Sequence, residues 1–345
     1  MNKIMNSKAR RTSSTEIAKL AGVSQATVSR VLSGAPYVSE ATRTKVMQVV
    51  EANSYRPNSV AQAMRTRRSD TIGVAVSRVT NPVVPEILEA LGPKLTALGR
   101  RMIVWNTETE GADGVINAIL QGTVDGVVFT AGDDQRSAIA TAIERDLAVV
   151  ALNRPVPGRS CPQVVSTNYD GSAELARYLL AGRRQRIAYI NGPRERTTMA
   201  ERERGFREAL KARGVLIPSE TPSEPDFSHA RFRQIAIDLM KRPAPPDAIA
   251  CGNDLIAFAV INGLKSIGIQ VPDDVWVVGF DGVEMSGWDV FDLTTMRQPL
   301  DRMVAEAVSL LIEGIENRDR EPREIQCPTD LIVRGSTAHM PPPGI

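Results

Sequence analysis

Cysteine and histidine are scarce in this sequence. Its 345 residues include 3 Cys and 2 His, and Cys161, Cys251 and Cys327 stand far apart. An odd number of widely spaced cysteines argues against a disulfide framework and fits a reducing compartment. Because the histidines are His229 and His339 alone, no His and Cys cluster has the spacing of metal ligands, and we expect neither a metal nor a cofactor.

Long apolar runs are missing as well. No run approaches the roughly 18 apolar residues of a membrane span, and no apolar segment of a secretory signal precedes the first predicted helix. We therefore expect a cytoplasmic protein without a membrane partner. The sequence also lacks a GxGxxG after a strand, a Walker loop, a GxSxG motif and a histidine-based triad, so we do not expect an enzyme.

The net charge of +2 hides a strong asymmetry. From Met1 to Asp70 there are 12 Lys and Arg against 4 Asp and Glu, whereas the remainder has 30 against 36. A basic end joined to an acidic remainder suggests that the amino-terminal part meets a polyanion. A solvated basic arm is the alternative.

The stretch from Ser13 to Leu32, SSTEIAKLAGVSQATVSRVL, has the pattern of two short helices joined by a tight turn. Ser13 and Glu16 have capping-box spacing, and Ile17, Ala18 and Leu20 are predicted to form the buried side of the first helix. Ala21, Gly22 and Val23 interrupt the pattern, and Ser24 then caps a helix whose inner side is Val28, Val31 and Leu32. The segment is therefore a candidate helix-turn-helix.

Its second helix leaves Gln25, Ala26, Ser29 and Arg30 on the outside. An amide, a small apolar group, a hydroxyl and a guanidinium can meet base edges and phosphates in a major groove. An ordinary helical hairpin with a polar outer face is the alternative.

A third helix capped by Ser39, with Val46, Val49 and Val50 inside, completes a small core. After it, Asn58 to Arg65 is a short helix-prone segment before the basic TRRSD.

After Thr71, apolar runs alternate with amphipathic segments, which is typical of an α/β fold. The predicted strands start at Ile72, Met102, Gly126, Ala148, Arg186, Ala248 and Val275. Continuous apolar runs indicate strands buried on both faces, and hence parallel sheets. We expect two doubly wound lobes, near 72–168 and 169–335, with a cleft between them.

Polar residues follow these strands, where the ligands of open α/β sheets bind. They are Asn81, Asn153, Arg154, Asn191, Asn253, Asp254 and Asp281. For Asn191 and Asp254 a capping or turn role is favoured. Together the residues suggest a cleft that hydrogen-bonds a small polar molecule.

These segments resemble the lactose/galactose repressor (LacI/GalR) family from about Ser13 to Thr337. The matching stretches are EIAKLAGVSQATVSRVLSG, VSEATRTKV, YRPNSVAQAMR, NPVVPEIL, GFREAL, CGNDLIAFAV, VPDDVWVVGFD and LTTMRQP. The resemblance implies a transcriptional regulator, most simply a repressor. Its parts would be a helix-turn-helix headpiece (1–57), a hinge helix and linker (58–70), a periplasmic-binding-protein-like core of two lobes (71–338) and a tail (339–345).

The resemblance also implies roles for individual residues in DNA binding. Gln25 and Ala26 match positions that vary with operator sequence, and the matching set of more general contacts is Ser24, Thr27, Ser29 and Arg30. In the hinge helix the implied contacts are Asn58, Ala61 and Met64. Met64 stands where the family usually places a leucine that wedges into the minor groove.

In the core, Arg202 matches a family arginine that grips ligand oxygens, and Asn253 and Asp281 match polar ligand contacts. Asn81 and Arg154 join them as candidates. Phe227 matches an aromatic residue that packs on the ligand, with a core role as the alternative. Asp281 opposite Arg202 suits a sugar or another polyol, whereas Arg78 and Arg154 favour a sugar acid. Val83 and Val84 replace the aromatics often found after the NP pair.

The partners expected from the resemblance are a pseudo-palindromic operator, a small effector and a second copy of the chain. The proline-rich AHMPPPGI after Thr337 is too short for a tetramerising coiled coil, which favours a dimer. Two other classes are weaker: a solute-binding protein would need an export signal and no basic headpiece, and an enzyme would need catalytic residues.

Overall fold

A computed structural model describes residues 12–55, 68–132, 134–156, 158, 160–217, 222, 227–317 and 321–337. The chain divides into two compact units between Ser69 and Asp70. Each unit is described by itself below.

The amino-terminal unit contains three helices, α1 (Ser14–Ala21), α2 (Gln25–Leu32) and α3 (Glu40–Ala52). The side chains of Ser13, Ser24 and Ser39 each accept a backbone hydrogen bond at the start of a helix, as the sequence predicts. At the end of α1, Gly22 has a φ of 63°, a left-handed conformation that glycine adopts without strain. The three helices are therefore delimited by local sequence.

Seven buried apolar residues from all three helices form the core of this unit, namely Ile17, Ala18, Ala21, Val28, Val31, Val46 and Val50. Leu20 is different, because 59% of its surface is exposed, and its assignment to the buried side of α1 is wrong. Ile17, Ala18 and Ala21 already fill the narrow inner face of this short helix.

The second unit contains eleven strands among the described residues. They are β1 (Thr71–Val76), β2 (Arg101–Asn106), β3 (Gly126–Phe129), β4 (Ala148–Leu152), β5 (Gln163–Ser166), β6 (Ile187–Ile190), β7 (Ala248–Cys251), β8 (Trp276–Asp281), β9 (Thr294–Arg297), β10 (Glu324–Cys327) and β11 (Asp330–Ile332). Its helices are α4 (Val83–Ala97), α5 (Thr107–Glu110), α6 (Asp113–Leu120), α7 (Arg136–Glu144), α8 (Asn168–Ala181), α9 (Thr197–Lys211), α10 (His229–Met240), α11 (Asp254–Ser266) and α12 (Leu300–Glu316).

The first lobe is built on a six-stranded parallel sheet in the order β10-β5-β4-β3-β1-β2. Successive side chains of a strand point to opposite faces, and both faces are covered here. Val74 packs in one cluster with Leu91 of α4 and Val304 of α12, whereas Ala75 packs in another with Val115 and Ile139. This is the two-sided burial that continuous apolar runs predict.

The second lobe has a five-stranded sheet in the order β11-β9-β8-β7-β6. Its strands pair in parallel, except that β11 runs antiparallel to β9. Tyr189 and Val278 pack with Phe206 of α9 on one face, while Val277 on the other face packs with Val260 of α11. The carboxyl ends of β6, β7 and β8 carry the polar residues discussed below.

The prediction of two consecutive halves is only partly right. After β9 in the second lobe, α12 and β10 return to the first lobe, and β11 then joins the second. The strand pairs β5/β10 and β9/β11 are short and contain polar residues, so apolar runs do not reveal them. Where the chain crosses between the lobes, the amide of Thr329 donates to the hydroxyl of Thr167 over 3.2 Å.

Strand β2 also departs from prediction. Its sequence RMIVWN is strongly apolar, but Ile103 and Val104 are 42% and 41% exposed. Because β2 lies at the edge of the sheet, one of its sides has no strand neighbour within the described residues. Throughout the part of the chain described here, no helix combines the length and the apolar character needed to cross a membrane.

Candidate functional site

The start of α2 is tied down by local hydrogen bonds. The Ser24 hydroxyl accepts from the amide of Thr27 over 3.1 Å and lies 2.9 Å from the Thr27 hydroxyl. The side-chain amide of Gln25 donates to the Ser14 hydroxyl of α1 over 2.9 Å. Ser24 and Thr27 therefore shape the helix start, and Gln25 is held next to it.

The outer side of α2 matches the prediction. Gln25, Ala26 and Arg30 are exposed, and Ser29 is partly exposed. The opposite side holds Val28 and Val31 in the core. The proposed DNA contacts of the hinge, Asn58, Ala61 and Met64, lie outside the described residues.

Behind α2, Arg43 of α3 connects the helices. Its guanidinium donates to the carbonyl oxygen of Ala35 over 2.8 Å and to that of Val31 over 3.5 Å. These bonds satisfy acceptors at and beyond the end of α2. The helix that carries the exposed polar set is thus fixed at both ends.

In the core, a cleft opens between the two lobes at the carboxyl ends of their strands. The cleft is narrow in this structure, with a cavity volume of about 40 Å³. Residues from both lobes line it, namely Ser77, Arg78, Asn81, Val83, Val84, Thr130, Asn153, Arg154, Arg196, Thr198, Met199, Arg202, Phe227, Asn253 and Asp281. The six predicted effector contacts are all among them.

Four of the lining residues have a backbone conformation that is costly for residues other than glycine. The φ angles are 54° for Arg78, 73° for Asn153, 51° for Phe227 and 125° for Asp281. Such strain costs on the order of 1 to 3 kcal/mol per residue and is found mostly at functional sites. Here all four of the strained residues line the same cleft.

Arg202 of α9 is buried at the floor of the cleft and makes three hydrogen-bonding contacts. Its guanidinium donates to the side-chain oxygen of Asn168 over 2.8 Å, to the carbonyl oxygen of Gly252 over 2.9 Å and to Asp281 over 2.9 Å. The guanidinium carbon also lies 3.8 Å from the ring centre of Phe280. Arg202 therefore organises the floor of the cleft as well as lining it.

Asp281, at the end of β8, lies opposite Arg202. Its Oδ1 also accepts from the side-chain amide of Gln298 over 2.7 Å. Burial raises the pKa of Asp281, and the charge of Arg202 opposes that increase. A hydroxyl group is a suitable partner for such a carboxylate, because it donates a hydrogen bond without adding charge.

Asn253 caps α11 and is one of the residues that line the cleft. Its Oδ1 accepts from the amide of Ile256 over 3.0 Å, whereas the fully buried Nδ2 has no hydrogen-bond partner. An unpaired buried donor costs about 1 to 3 kcal/mol, so an incoming acceptor would recover that energy. Asn253 is therefore a candidate donor to a ligand.

Arg154, Asn81 and Phe227 occupy other parts of the wall. Arg154 pairs with Asp134 over 2.6 Å and donates to the Ser77 hydroxyl over 2.5 Å. Asn81 accepts from the amide of Val83 over 3.3 Å at the start of α4. Phe227 lines the cleft and also lies 6.2 Å, centre to centre, from the ring of Phe232 in the core.

Two polar residues that follow strands do not line the cleft. Asn191 donates to Glu203 over 2.7 Å and accepts from the amide of Gly192, and Asp254 accepts from Thr295 and Val283 beneath the floor. Both residues bond within the protein, but the partners of Asp254 are distant in sequence and Asn253 is the residue that caps α11, so the capping or turn role favoured from the sequence is wrong for Asp254. The lining residues not predicted include Ser77, Thr130, Arg196 and Thr198.

A headpiece with an exposed polar helix and a two-lobed core with a polar cleft together define a ligand-responsive DNA-binding regulator. Comparison with known proteins supports this class. Residues 15–58 match the pattern of bacterial regulatory proteins of the lacI family, and residues 176–337 match a periplasmic binding protein-like domain.

The ribose operon repressor of Halalkalibacterium halodurans is 31% identical over 93% of this chain and 96% of its own length. The solved lac repressor dimer, bound to operator and the anti-inducer ONPF, is 25% identical with a TM-score of 0.83, covering 95% of this chain and 99% of that one. The transcriptional regulator CelR in complex with cellobiose is 28% identical with a TM-score of 0.70, covering 94% and 100%.

The chain therefore belongs to the LacI family of bacterial regulatory proteins. It is a DNA-binding transcriptional repressor with a periplasmic-binding-protein-like effector domain, and its relatives are not enzymes.

Proposed function

We propose that the chain acts in the cytoplasm as a homodimeric repressor of a pseudo-palindromic operator, and that a small polar effector of the sugar or sugar-acid type controls its affinity for DNA. The cleft carries this proposal. It joins both lobes, it contains four residues with a strained backbone, and it includes Asn253, whose Nδ2 donor is unpaired. A ligand that satisfies groups of both lobes favours one arrangement of the lobes over another.

In this proposal, Arg202, Asn253 and Asp281 bind polar groups of the effector. Phe227 packs against its apolar side, and Asn81 and Arg154 contribute from the first lobe. The effector would act through the hinge segment 58–70, where Asn58, Ala61 and Met64 would contact the minor groove. The effector thereby couples the cleft to the headpiece.

On DNA, one headpiece would bind each half-site. Gln25 can pair with adenine through two hydrogen bonds, and Ala26 can contact a thymine methyl group. The proposed contacts of Ser24, Thr27, Ser29 and Arg30 position α2 along the backbone. A second copy of the chain doubles this short recognition surface.

The experiment is a selection of binding sites from a random DNA library with the full chain. Gln25→Ala is expected to relax the preference at one base pair in each half-site, which corresponds to about 1 to 3 kcal/mol of lost discrimination. Gln48→Ala is the control, since Gln48 is an exposed glutamine on α3. Recovery of the same site preference by Gln25→Ala would exclude Gln25 as a base-reading residue.

A further inference from the structure

A second cavity lies in the first lobe, at the amino ends of β4 and β5. Its volume is about 250 Å³, which is larger than the roughly 150 Å³ of a buried apolar cavity that holds benzene. The effector cleft lies at the other end of the same strand, where Asn153 and Arg154 follow β4. A ligand in this cavity would therefore not occupy the cleft.

The wall of the cavity is largely apolar. Its apolar residues include Ile143, Leu147, Ala148, Val149, Leu310 and Pro322. Cys161 also lines it, and burial raises the pKa of this thiol to about 12, so the thiol is uncharged at neutral pH. At the rim, the Glu313 carboxylate is already 3.0 Å from the Arg323 guanidinium. The enclosed space therefore favours a neutral ligand.

One backbone edge of β4 is open at this cavity. Alternate residues of a strand direct their backbone groups to the same side, and the amide of Ala151 donates toward β5, to the carbonyl oxygen of Pro162 over 2.9 Å. Val149, two residues earlier, directs its N–H and C=O groups to that side as well. The pairing of β4 with β5 begins only at Ala151, opposite Gln163. Within the described part of the chain, no backbone hydrogen bond joins Val149 to β5 or to the segment before it.

A proline explains why the ladder stops here. The register that pairs Ala151 with Gln163 would place Val149 opposite Cys161. In a parallel ladder, the donor to the carbonyl oxygen of Val149 would then be the amide of the next residue, Pro162. Proline has no N–H, so β5 cannot supply this bond. A buried backbone group without a partner costs free energy comparable to a lost hydrogen bond, which a ligand would recover.

The shape of this opening selects a particular chemistry. The N–H and C=O groups of one residue, both open on the same side of a strand, match a ring that carries a carbonyl acceptor and an N–H donor on adjacent atoms. A cyclic amide has this arrangement, it is planar at the amide, and it is neutral. Its apolar ring atoms suit the surrounding wall.

We infer that the cavity is a second ligand site, which binds a small neutral molecule with a cyclic amide edge through the backbone N–H and C=O groups of Val149. The side chains around Val149 enclose the ring of the ligand. This site is separate from the effector cleft, so its ligand is independent of the proposed function.

Hydrogen exchange of backbone amides in the full chain, resolved to single residues by NMR, tests the open edge. The amide of Val149 is expected to exchange at least about tenfold faster than that of Ala151, because only the latter has a partner in β5. Ala151 is the matched control, since it lies on the same strand and points to the same side. Equal protection of the two amides would overturn the inference.

The ligand chemistry is tested with 2-pyridone, a six-membered cyclic amide. N-methyl-2-pyridone is the matched control, because methylation removes the N–H donor and keeps the ring and the carbonyl. 2-Pyridone is expected to slow the exchange of the Val149 amide and to bind about tenfold more tightly than the control, measured by titration of the Val149 amide resonance. Equal affinities, or a resonance that 2-pyridone leaves unchanged, would contradict the proposed recognition.

Filling the cavity tests its location. A Cβ atom added to Gly314 of α12 would lie 3.4 Å from the Cβ of Ala148, an ordinary contact, so a side chain can be introduced there. Gly314→Leu is expected to weaken the binding of 2-pyridone at least about tenfold, because its side chain occupies the cavity. Gly92→Leu is the control that should retain binding, since a Cβ at Gly92 on α4 meets no atom within 4 Å.

Cooperative thermal unfolding and a protected Ala151 amide establish that Gly314→Leu is folded. If it is not, Gly314→Ala decides, since its single added methyl group is expected to weaken binding in the same direction. Unchanged binding of 2-pyridone in the folded variant would mean that the molecule binds elsewhere and that the cavity is not its site.

Discussion

Two buried carboxylates lie close together, Asp281 at the floor of the cleft and Asp254 beneath it. Asp254 accepts from the Thr295 hydroxyl over 2.6 Å and from the amide of Val283 over 3.0 Å. These bonds connect α11 to β9 and to the turn that follows β8, and so hold the loop that presents Asp281. Burial first, and then the charge of Asp281, raise the pKa of Asp254 well above its ordinary value of 3.8.

Because the pKa of Asp254 is raised in the folded state, the free energy of unfolding depends on pH in a definite direction. The folded state holds the proton of Asp254 at pH values where the unfolded state has already lost it. The associated stability is present below pH 3.8 and is lost as the pH rises from there through the folded-state pKa. The charge of Asp281 acts on Asp254, and Asp281 in turn pairs with Arg202, so the titration belongs to the cluster.

We predict that Asp254→Asn removes this dependence. We compare the free energy of unfolding of the unsubstituted chain with that of the variant. Between pH 3.8 and the folded-state pKa of Asp254, the difference (unsubstituted minus variant) should fall by up to about 1.4 kcal/mol per pH unit. Urea unfolding between pH 4 and 8 measures it. Asp273→Asn, at an exposed position, is the control. A difference that does not change with pH would contradict the raised pKa.

At the scale of elements, the headpiece depends on local caps because its core is small. Ser13 and Glu16 form a capping box in which the amide of Glu16 donates to the Ser13 hydroxyl over 3.2 Å and the amide of Ser13 donates to the Glu16 carboxylate over 2.8 Å. Both bonds satisfy donors at the start of α1. The core of this unit has only seven buried apolar residues among those described, so it cannot readily compensate for the loss of these two hydrogen bonds.

Ser13→Ala is therefore expected to cost about 1 kcal/mol of headpiece stability, whereas Ser13→Asp should keep most of it because aspartate is also a good cap. Hydrogen exchange of the α1 amides in the full chain is the measurement, and about fivefold faster exchange is expected for Ser13→Ala. Unchanged protection of α1 in Ser13→Ala would mean that packing alone stabilises the helix.

At the scale of the whole molecule, the exposed edge of β2 fits a second copy of the chain. Ile103 and Val104 are 42% and 41% exposed on β2, whose outer edge has no strand neighbour among the described residues. In the second lobe, the apolar side chains of Trp288 and Val290 are 51% and 61% exposed. Exposed apolar edges are prone to association, and a twofold interface uses the same patch on both copies. We place the proposed dimer contact at these residues.

Ile103→Lys is expected to shift the protein toward monomer at micromolar concentration, because each interface would then hold two buried amines. Sedimentation velocity measures the shift. Ile143→Lys is the control, since Ile143 is 41% exposed on α7. If Ile103→Lys remains dimeric while Ile143→Lys dissociates, the contact lies on another surface.

Local features of the sequence determined the headpiece and most strands of the core. Caps at Ser13, Ser24 and Ser39 delimit helices through bonds within three residues, and runs such as Gly126–Phe129 and Ala148–Leu152 form strands because burial on both faces selects apolar side chains. The resemblance to the family located the cleft residues Arg202, Asn253 and Asp281, all of which line it.

Features that depend on residues far apart in the sequence were decided by the tertiary structure alone. Strand β10 pairs with β5 more than 150 residues away, so its short polar sequence EIQC contains no local signal. The exposure of β2 follows from its edge position, and the convergence of Arg78 with Arg196 on Phe227 follows from the approach of the two lobes. Periodicity and capping act over a few residues, whereas sheet order and cleft geometry depend on the packing of the complete chain.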